Sequence, residues 1–102
     1  MSDMRTWLAI ETGGTKLLAR LVRDEGVVAE ARWPTTSPEA AEAALLAFAG
    51  RTPLAGVGIA AFGPVVVDPA AANYGEVLAT PKPGWTGANL RAALEQALGV
   101  PV

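Results

Sequence analysis

Two connections near the start of the chain are too short to be anything but turns. An apolar run from Trp7 to Glu11 meets Thr12-Gly13-Gly14, and the chain then resumes an alternating pattern from Thr15 to Arg23. Asp24-Glu25-Gly26 separates that run from a third, Val27 to Trp33. In the second run Leu17, Ala19 and Leu21 alternate with Lys16 and Arg20, the period of a strand with one buried face. Parallel pairing needs a crossover of about a dozen residues or more, so these three strands form an antiparallel meander.

Pro34-Thr35-Thr36-Ser37-Pro38 breaks the strand pattern. Ser37 suits an N-cap, Pro38 the first helical position and Glu39 the first turn. The helix this starts stops at Gly50, with Ala41, Leu45 and Phe48 on one face. After Pro53, the Gly- and Val-rich run Leu54 to Ala60 reads as a strand buried on both faces, reached by a crossover and therefore parallel to its neighbour. From Ala61 to Trp85 the pattern is irregular and broken by Pro64, Pro69, Pro81 and Pro83. Loops of that length are functional or disordered, and Phe62, Tyr74 and Trp85 argue against disorder. A second helix covers about Asn89 to Leu98, with Leu90, Leu94, Ala97 and Leu98 as its apolar face and Gly99 as its stop. Val100-Pro101-Val102 reads as the first residues of another strand. The fold class is α/β: a mixed sheet, three-stranded meander plus parallel strand, with flanking helices. The first hairpin and the end of the Leu54–Ala60 strand open on one edge of that sheet, where ligands of open α/β sheets gather.

Composition narrows the chemistry. Hydrophobic residues make up 51% of the 102 and charged residues 18%, which suits a packed core rather than a disordered chain. The formal net charge is -2 and the eight basic residues form no cluster, so no nucleic-acid partner is expected. Without cysteine there is no disulfide or thiolate metal site, and without histidine no imidazole base or ligand within these residues. Met1-Ser2-Asp3-Met4-Arg5 has no signal-peptide character, and no apolar run reaches the length of a membrane span. A cytoplasmic protein without a membrane partner is the expectation.

Two stretches carry candidate chemistry. In Ile10-Glu11-Thr12-Gly13-Gly14-Thr15-Lys16 both glycines are free to take positive φ, which allows a tight hairpin with backbone N–H groups turned outward to an anion. Thr15 and Lys16 add a donor and a cation, and Glu11 could hold a hydrated Mg²⁺, a set that suits nucleotide phosphates. The same residues also read as an ordinary hairpin with a polar tip. The segment is not a Walker A loop, because Lys16 enters a strand and not a helix, and the spacing of a dinucleotide fingerprint is absent. The second stretch comprises Phe62-Gly63-Pro64, Asp68-Pro69, Asn73-Tyr74-Gly75 and Thr80-Pro81-Lys82-Pro83-Gly84-Trp85. It could wall a site for a hydroxyl-rich ligand, or be a stiff structural loop whose aromatics cap the core.

Ile10 to Lys16, Gly58-Ile59-Ala60-Ala61-Phe62-Gly63-Pro64, and Tyr74-Gly75 through Thr80–Trp85 together resemble the N-terminal part of the ROK sugar kinases, in their bacterial fructokinase branch. The resemblance runs from about Trp7 to the end of the chain. It implies an actin-like ATPase, ribonuclease H-like fold of two lobes, with residues 1–102 forming most of the first lobe and the second lobe absent. It also implies ATP- and Mg²⁺-dependent phosphoryl transfer to a hexose, fructose foremost, by a homodimeric full-length protein. Carried over, Gly13, Gly14, Thr15 and Lys16 would lie at the phosphates. Glu11, where the family commonly has Asp, would help place the metal or its water. Gly63, Pro64, Thr80, Pro81, Lys82, Gly84 and Trp85 would border the sugar.

The same resemblance sets aside a catalytic Asp on the strand that Val100-Pro101-Val102 begins, beyond Val102, and a zinc cluster of histidine and cysteine later still. These residues alone are then about a third of a family member and are expected not to turn over. An unfilled edge beside Leu54–Ala60 would make them prone to instability or association. Two other readings stand beside the kinase. One is a non-catalytic degenerate lobe serving as a binding or structural module. The other is a sugar-responsive ROK repressor, disfavoured because about ten residues precede the glycine turn, too few for a helix-turn-helix domain.

Overall fold

A computed structural model of the chain describes residues 5–24 and 26–102; Met1 to Met4, and Glu25 of the second expected turn, lie outside the described residues. Four strands and two helices follow in the order β1 (Trp7–Thr12), β2 (Lys16–Arg23), β3 (Gly26–Pro34), α1 (Pro38–Ala49), β4 (Gly56–Ala61) and α2 (Leu90–Leu98). The sheet order is β3-β2-β1-β4. β1–β2 and β2–β3 are antiparallel, with Ile10 opposite Ala19 and Ala19 opposite Ala31. β4 returns parallel to β1, with Ile10 beside Ile59 and Thr12 beside Ala61.

Alternation decides which face is buried. Leu8, Ile10, Leu17, Ala19 and Leu21 enter one core with Ala41, Leu45 and Ala49 of α1 and Leu90 and Leu94 of α2. Leu45 and Leu94 are fully buried, each contributing about 1.5–3 kcal/mol of apolar transfer energy. α1 starts where Ser37 Oγ accepts the Ala40 N–H at 3.1 Å and ends where Gly50, at φ 56°, donates to the Leu46 carbonyl. α2 repeats the device with Asn89 Oδ1 accepting from Ala92 at 3.0 Å and Gly99 in the left-handed region. Among the described residues no helix is long and apolar enough to cross a membrane.

Three details differ from expectation. The buried face of α1 is Ala41, Leu45 and Ala49; Phe48 is half-buried at its margin, meeting Trp33 edge-on at 5.9 Å. β4 is not buried on both faces, for only Gly56 and Val57 are covered, because it lies at the sheet margin. Residues 100–102 form no strand, yet the Pro101 carbonyl accepts the Val57 N–H at 2.9 Å and so begins to pair with β4. The irregular segment after β4 has its own order. Val65 and Val77 form an antiparallel bridge, and the Leu78 N–H reaches the Pro64 carbonyl at 2.8 Å.

Candidate functional site

The β1–β2 turn is closed by the Gly13 N–H donating to the Lys16 carbonyl at 2.9 Å. Neither Gly13 nor Gly14 adopts positive φ, contrary to the reason the sequence suggests for them. Space explains Gly13 instead: a Cβ there would lie 3.2 Å from the Lys16 carbonyl oxygen. A Cβ on Gly14 would meet nothing within 4 Å, so its backbone faces open space. Among the described residues no acceptor meets the Gly14 or Thr15 N–H, and both residues are exposed, as is Lys16.

Glu11, Thr12, Gly13 and Lys16 line a cleft of about 550 Å³ whose other wall is Ala60, Ala61 and Phe62. The ends of β1 and β4 thus share one opening, as their parallel register requires. Thr12 fastens that junction, since its carbonyl and its Oγ1 both accept the Phe62 N–H, at 2.9 and 3.2 Å. Arg20 and Arg32 extend the cleft along the sheet. Both contact Glu30, Arg20 at 2.7 Å and Arg32 at 3.3 Å. The hydrogen bond and charge of Arg20 hold the Glu30 carboxyl below its ordinary range, and Glu30 in turn raises the Arg20 guanidinium.

A second cavity, of about 340 Å³, lies beyond Ala60 to Phe62. Its lining is mostly apolar, with Val65 to Val67, Val77 and Trp85, and with Tyr74 and Arg91 at its polar side. Of the residues expected on the sugar side, Trp85 alone lines this cavity. Trp85 is also a core residue, 2% exposed, with its indole bonded to the Thr36 carbonyl. Gly63, Pro64, Pro81 and Gly84 are exposed, Thr80 and Lys82 half-buried. Gly84 lines a separate groove between α1 and α2. Thr80 and Lys82 are engaged locally, the Thr80 Oγ1 accepting the Lys82 N–H at 3.3 Å. Asp68 accepts the Ala70 N–H at 2.9 Å in a turn of its own.

Residues outside the motif-bearing stretches bond to the segments that line both openings. Thr35 Oγ1 donates to the Gly13 carbonyl, and Asn89 Nδ2 and Arg91 Nε both donate to the Tyr74 carbonyl, at 2.9 and 3.0 Å. These contacts are long-range, and the only advance sign of Thr35 is its place opposite Thr15 once the meander register is known. Among the described residues no group of three or more acidic, histidine or cysteine side chains could hold a metal ion by itself. Glu11 is a single exposed carboxylate in the lining of that cleft, so it could hold a Mg²⁺ only through water or together with ligands from elsewhere.

Comparison with known proteins bears on the family and the fold. The chain is 34% identical over 95 residues to a fructokinase of Pediococcus pentosaceus, covering 92% of the chain and 33% of that protein. It is 32% identical over 108 residues to a fructokinase of Zymomonas mobilis, covering 99% and 36%. It therefore spans about a third of the length of the curated relatives it matches. The fold superposes on a ROK family glucokinase of Streptomyces griseus, solved with glucose and AMPPNP, at a TM-score of 0.72 and 26% identity, over 95% of this chain and 31% of that one. The mixed sheet is thus part of the actin-like fold of such kinases. With the ROK family description matching residues 7–102, this chain belongs to the ROK family.

Proposed function

We propose that residues 1–102 form part of the N-terminal lobe of a cytoplasmic, ATP-dependent sugar kinase, and that the β1–β2 turn takes the nucleotide phosphates. The observation that carries this reading is the pair of N–H groups at Gly14 and Thr15 with no acceptor among the described residues, in an exposed turn whose Gly13 and Lys16 line a cleft open to the end of β4. Phosphoryl transfer asks a protein mainly for positioning and for neutralisation of phosphate charge, which fixed backbone dipoles and one ammonium supply. Glu11 would hold a water of Mg²⁺, and the ion when bound spreads the charge of the phosphates. The cavity beyond Phe62, with Trp85 in its wall, would take the sugar, and Gly63, Pro64, Thr80, Pro81, Lys82 and Gly84 would act as its outer rim.

The acceptor is a hexose, with fructose favoured by the names of the relatives. No described carboxylate is placed as the base that deprotonates the sugar hydroxyl. Glu11 faces the phosphate cleft, and Asp68 is spent on the Ala70 N–H. The resemblance to the family's kinases implies that the base is an Asp beyond Val102. The test is a coupled assay of the natural protein with MgATP and fructose, glucose or mannose. Phosphorylation with the highest kcat/KM for fructose is expected. Absence of phosphorylation with every hexose overturns the kinase reading, and a higher kcat/KM for glucose or mannose overturns the choice of fructose.

A further inference from the structure

Thr35 stands just past β3 and is 8% exposed. Its N–H donates to the Thr15 carbonyl at 2.8 Å, extending the β2–β3 ladder one residue beyond Lys16–Pro34. Its Oγ1 donates to the Gly13 carbonyl, also at 2.8 Å. One residue thus holds the carbonyls on both sides of Gly14, while the Gly13 N–H is closed on Lys16. The backbone carrying Thr35 is itself fixed, because the next carbonyl, Thr36, accepts the buried Trp85 indole N–H at 2.8 Å. The Gly13 carbonyl shares a rigid peptide plane with the Gly14 N–H, so the Thr35 hydroxyl that holds one sets the direction of the other. The Gly14 N–H, trans to that carbonyl, is then aimed away from Thr35 before any ligand arrives. Preorganised donors bind charge better than donors that must first be ordered.

We infer that Thr35 is a positioning residue for anion binding at the glycine turn: its hydroxyl, through the Gly13 carbonyl, sets the direction of the Gly14 N–H toward a nucleotide's phosphates without touching the nucleotide. The inference rests on the nucleotide reading given above. Thr35→Val keeps the shape and the backbone bond to Thr15 but removes the donor to Gly13. Thr35→Ser keeps the donor and loses a methyl group.

The experiment compares the natural protein with T35V and T35S. It measures calorimetric affinity for MgATP, affinity for fructose, thermal unfolding, and amide exchange of residues 13–16 without nucleotide. T35V is expected to bind MgATP about fivefold to tenfold more weakly. Fructose affinity should stay within about twofold, and the Gly13 amide, the one that is hydrogen-bonded within the turn, should exchange faster. T35S should resemble the parent in every readout. Unchanged MgATP affinity in T35V, equal losses in T35V and T35S, or parallel losses of MgATP affinity, fructose affinity and thermal stability would each overturn the inference. If the parent protein itself binds no MgATP, the nucleotide reading fails and takes this inference with it; binding by the parent with an unaffected T35V refutes the inference alone.

Discussion

The indole N–H of Trp85 donates to the carbonyl of Thr36 at 2.8 Å, joining residues 49 apart in sequence. The ring is 2% exposed and meets Phe62 edge-on at 5.4 Å. The Thr80–Trp85 run therefore ends in an anchor that fastens it to the entry of α1, next to the Ser37 cap. Trp85 serves the core and the cavity wall at once, so the two sequence-based readings of this run, sugar wall and core cap, do not exclude each other at this residue.

Trp85→Phe removes the only donor the ring has and leaves the Thr36 carbonyl without it, together with a small void. Deleted core volume and a lost hydrogen bond each destabilise, and a loss of about 1–3 kcal/mol is expected. Urea unfolding of the natural protein measures it. A loss smaller than about 0.5 kcal/mol, the range of ordinary surface changes, would mean that the anchor carries no weight.

Adjacent glycines in the β1–β2 turn should respond differently to alanine. At Gly14 the added Cβ meets nothing within 4 Å and φ is not positive, so Gly14→Ala should leave the melting temperature unchanged. At Gly13 the Cβ would sit 3.2 Å from the Lys16 carbonyl oxygen, in a turn that is already hydrogen-bonded, and Gly13→Ala should cost about 1–3 kcal/mol. If phosphates approach the turn, Gly14→Ala should still weaken MgATP binding, because the methyl occupies their approach. Parallel thermal melts and calorimetric titrations separate the two effects. A Gly14→Ala protein with unaltered MgATP affinity would argue against phosphate contact at that position.

Acid should weaken one ion-paired ladder rung. The Glu30 carboxyl lies below its ordinary value of 4.5 because Arg20 hydrogen-bonds it and Arg32 adds charge. A carboxyl depressed in the folded state contributes stability above its unfolded value and loses it as pH falls through the folded one. Any gap in melting temperature between the parent and Glu30→Gln should therefore be present at neutral pH and close below 4.5. Both side chains are more than a third exposed, so the gap is small and shrinks with added salt. Melts across pH check this. A gap that stays constant through the acid range would assign the effect to something other than ionisation.

Much of the fold is legible in the sequence because short-range rules determine it. The period-2 runs and the two short turns dictate β1 to β3, and Ser37, Pro38 and Gly50 bracket α1. The exposure of β4 was not legible, since neighbours on both its sides decide it, and only β1 flanks it fully here. The Val65–Val77 bridge has no sequence period, being a single rung amid prolines and glycines. The glycine turn was legible as a turn but not in its geometry. Its Gly13 carbonyl is bonded by Thr35, 22 residues away, and a distant hydroxyl leaves no mark on local propensity. That Glu11, Thr12, Gly13 and Lys16 share one cleft was legible because they lie within six residues of one another. The Tyr74–Asn89–Arg91 contacts were not, because they require the loop to fold back on α2.

Arg91 illustrates how such a contact can be tested. Its Nε donates to the Tyr74 carbonyl at 3.0 Å, its guanidinium lies 4.3 Å from the Tyr74 ring centroid, and its Nη1 reaches Glu95 at 3.2 Å. Asn89 donates to the same carbonyl, and Gly75, at φ 92°, leaves room for both: a Cβ there would lie 2.6 Å from Asn89 Oδ1 and 2.8 Å from Arg91 Cβ. Lysine keeps the charge but cannot stack a plane on the ring while donating to the carbonyl and to Glu95. Arg91→Lys should therefore cost about 1 kcal/mol and speed amide exchange between Val65 and Val77, with the helical amides of α2 unaffected. Gly75→Ala should be far worse, because left-handed strain and overpacking fall on one residue, and a cost of about 3 kcal/mol or more is expected. Exchange measured by mass spectrometry on both variants decides the matter. If Arg91→Lys protects the Val65–Val77 segment as well as arginine does, the fork to Tyr74 is dispensable and Asn89 holds the loop alone.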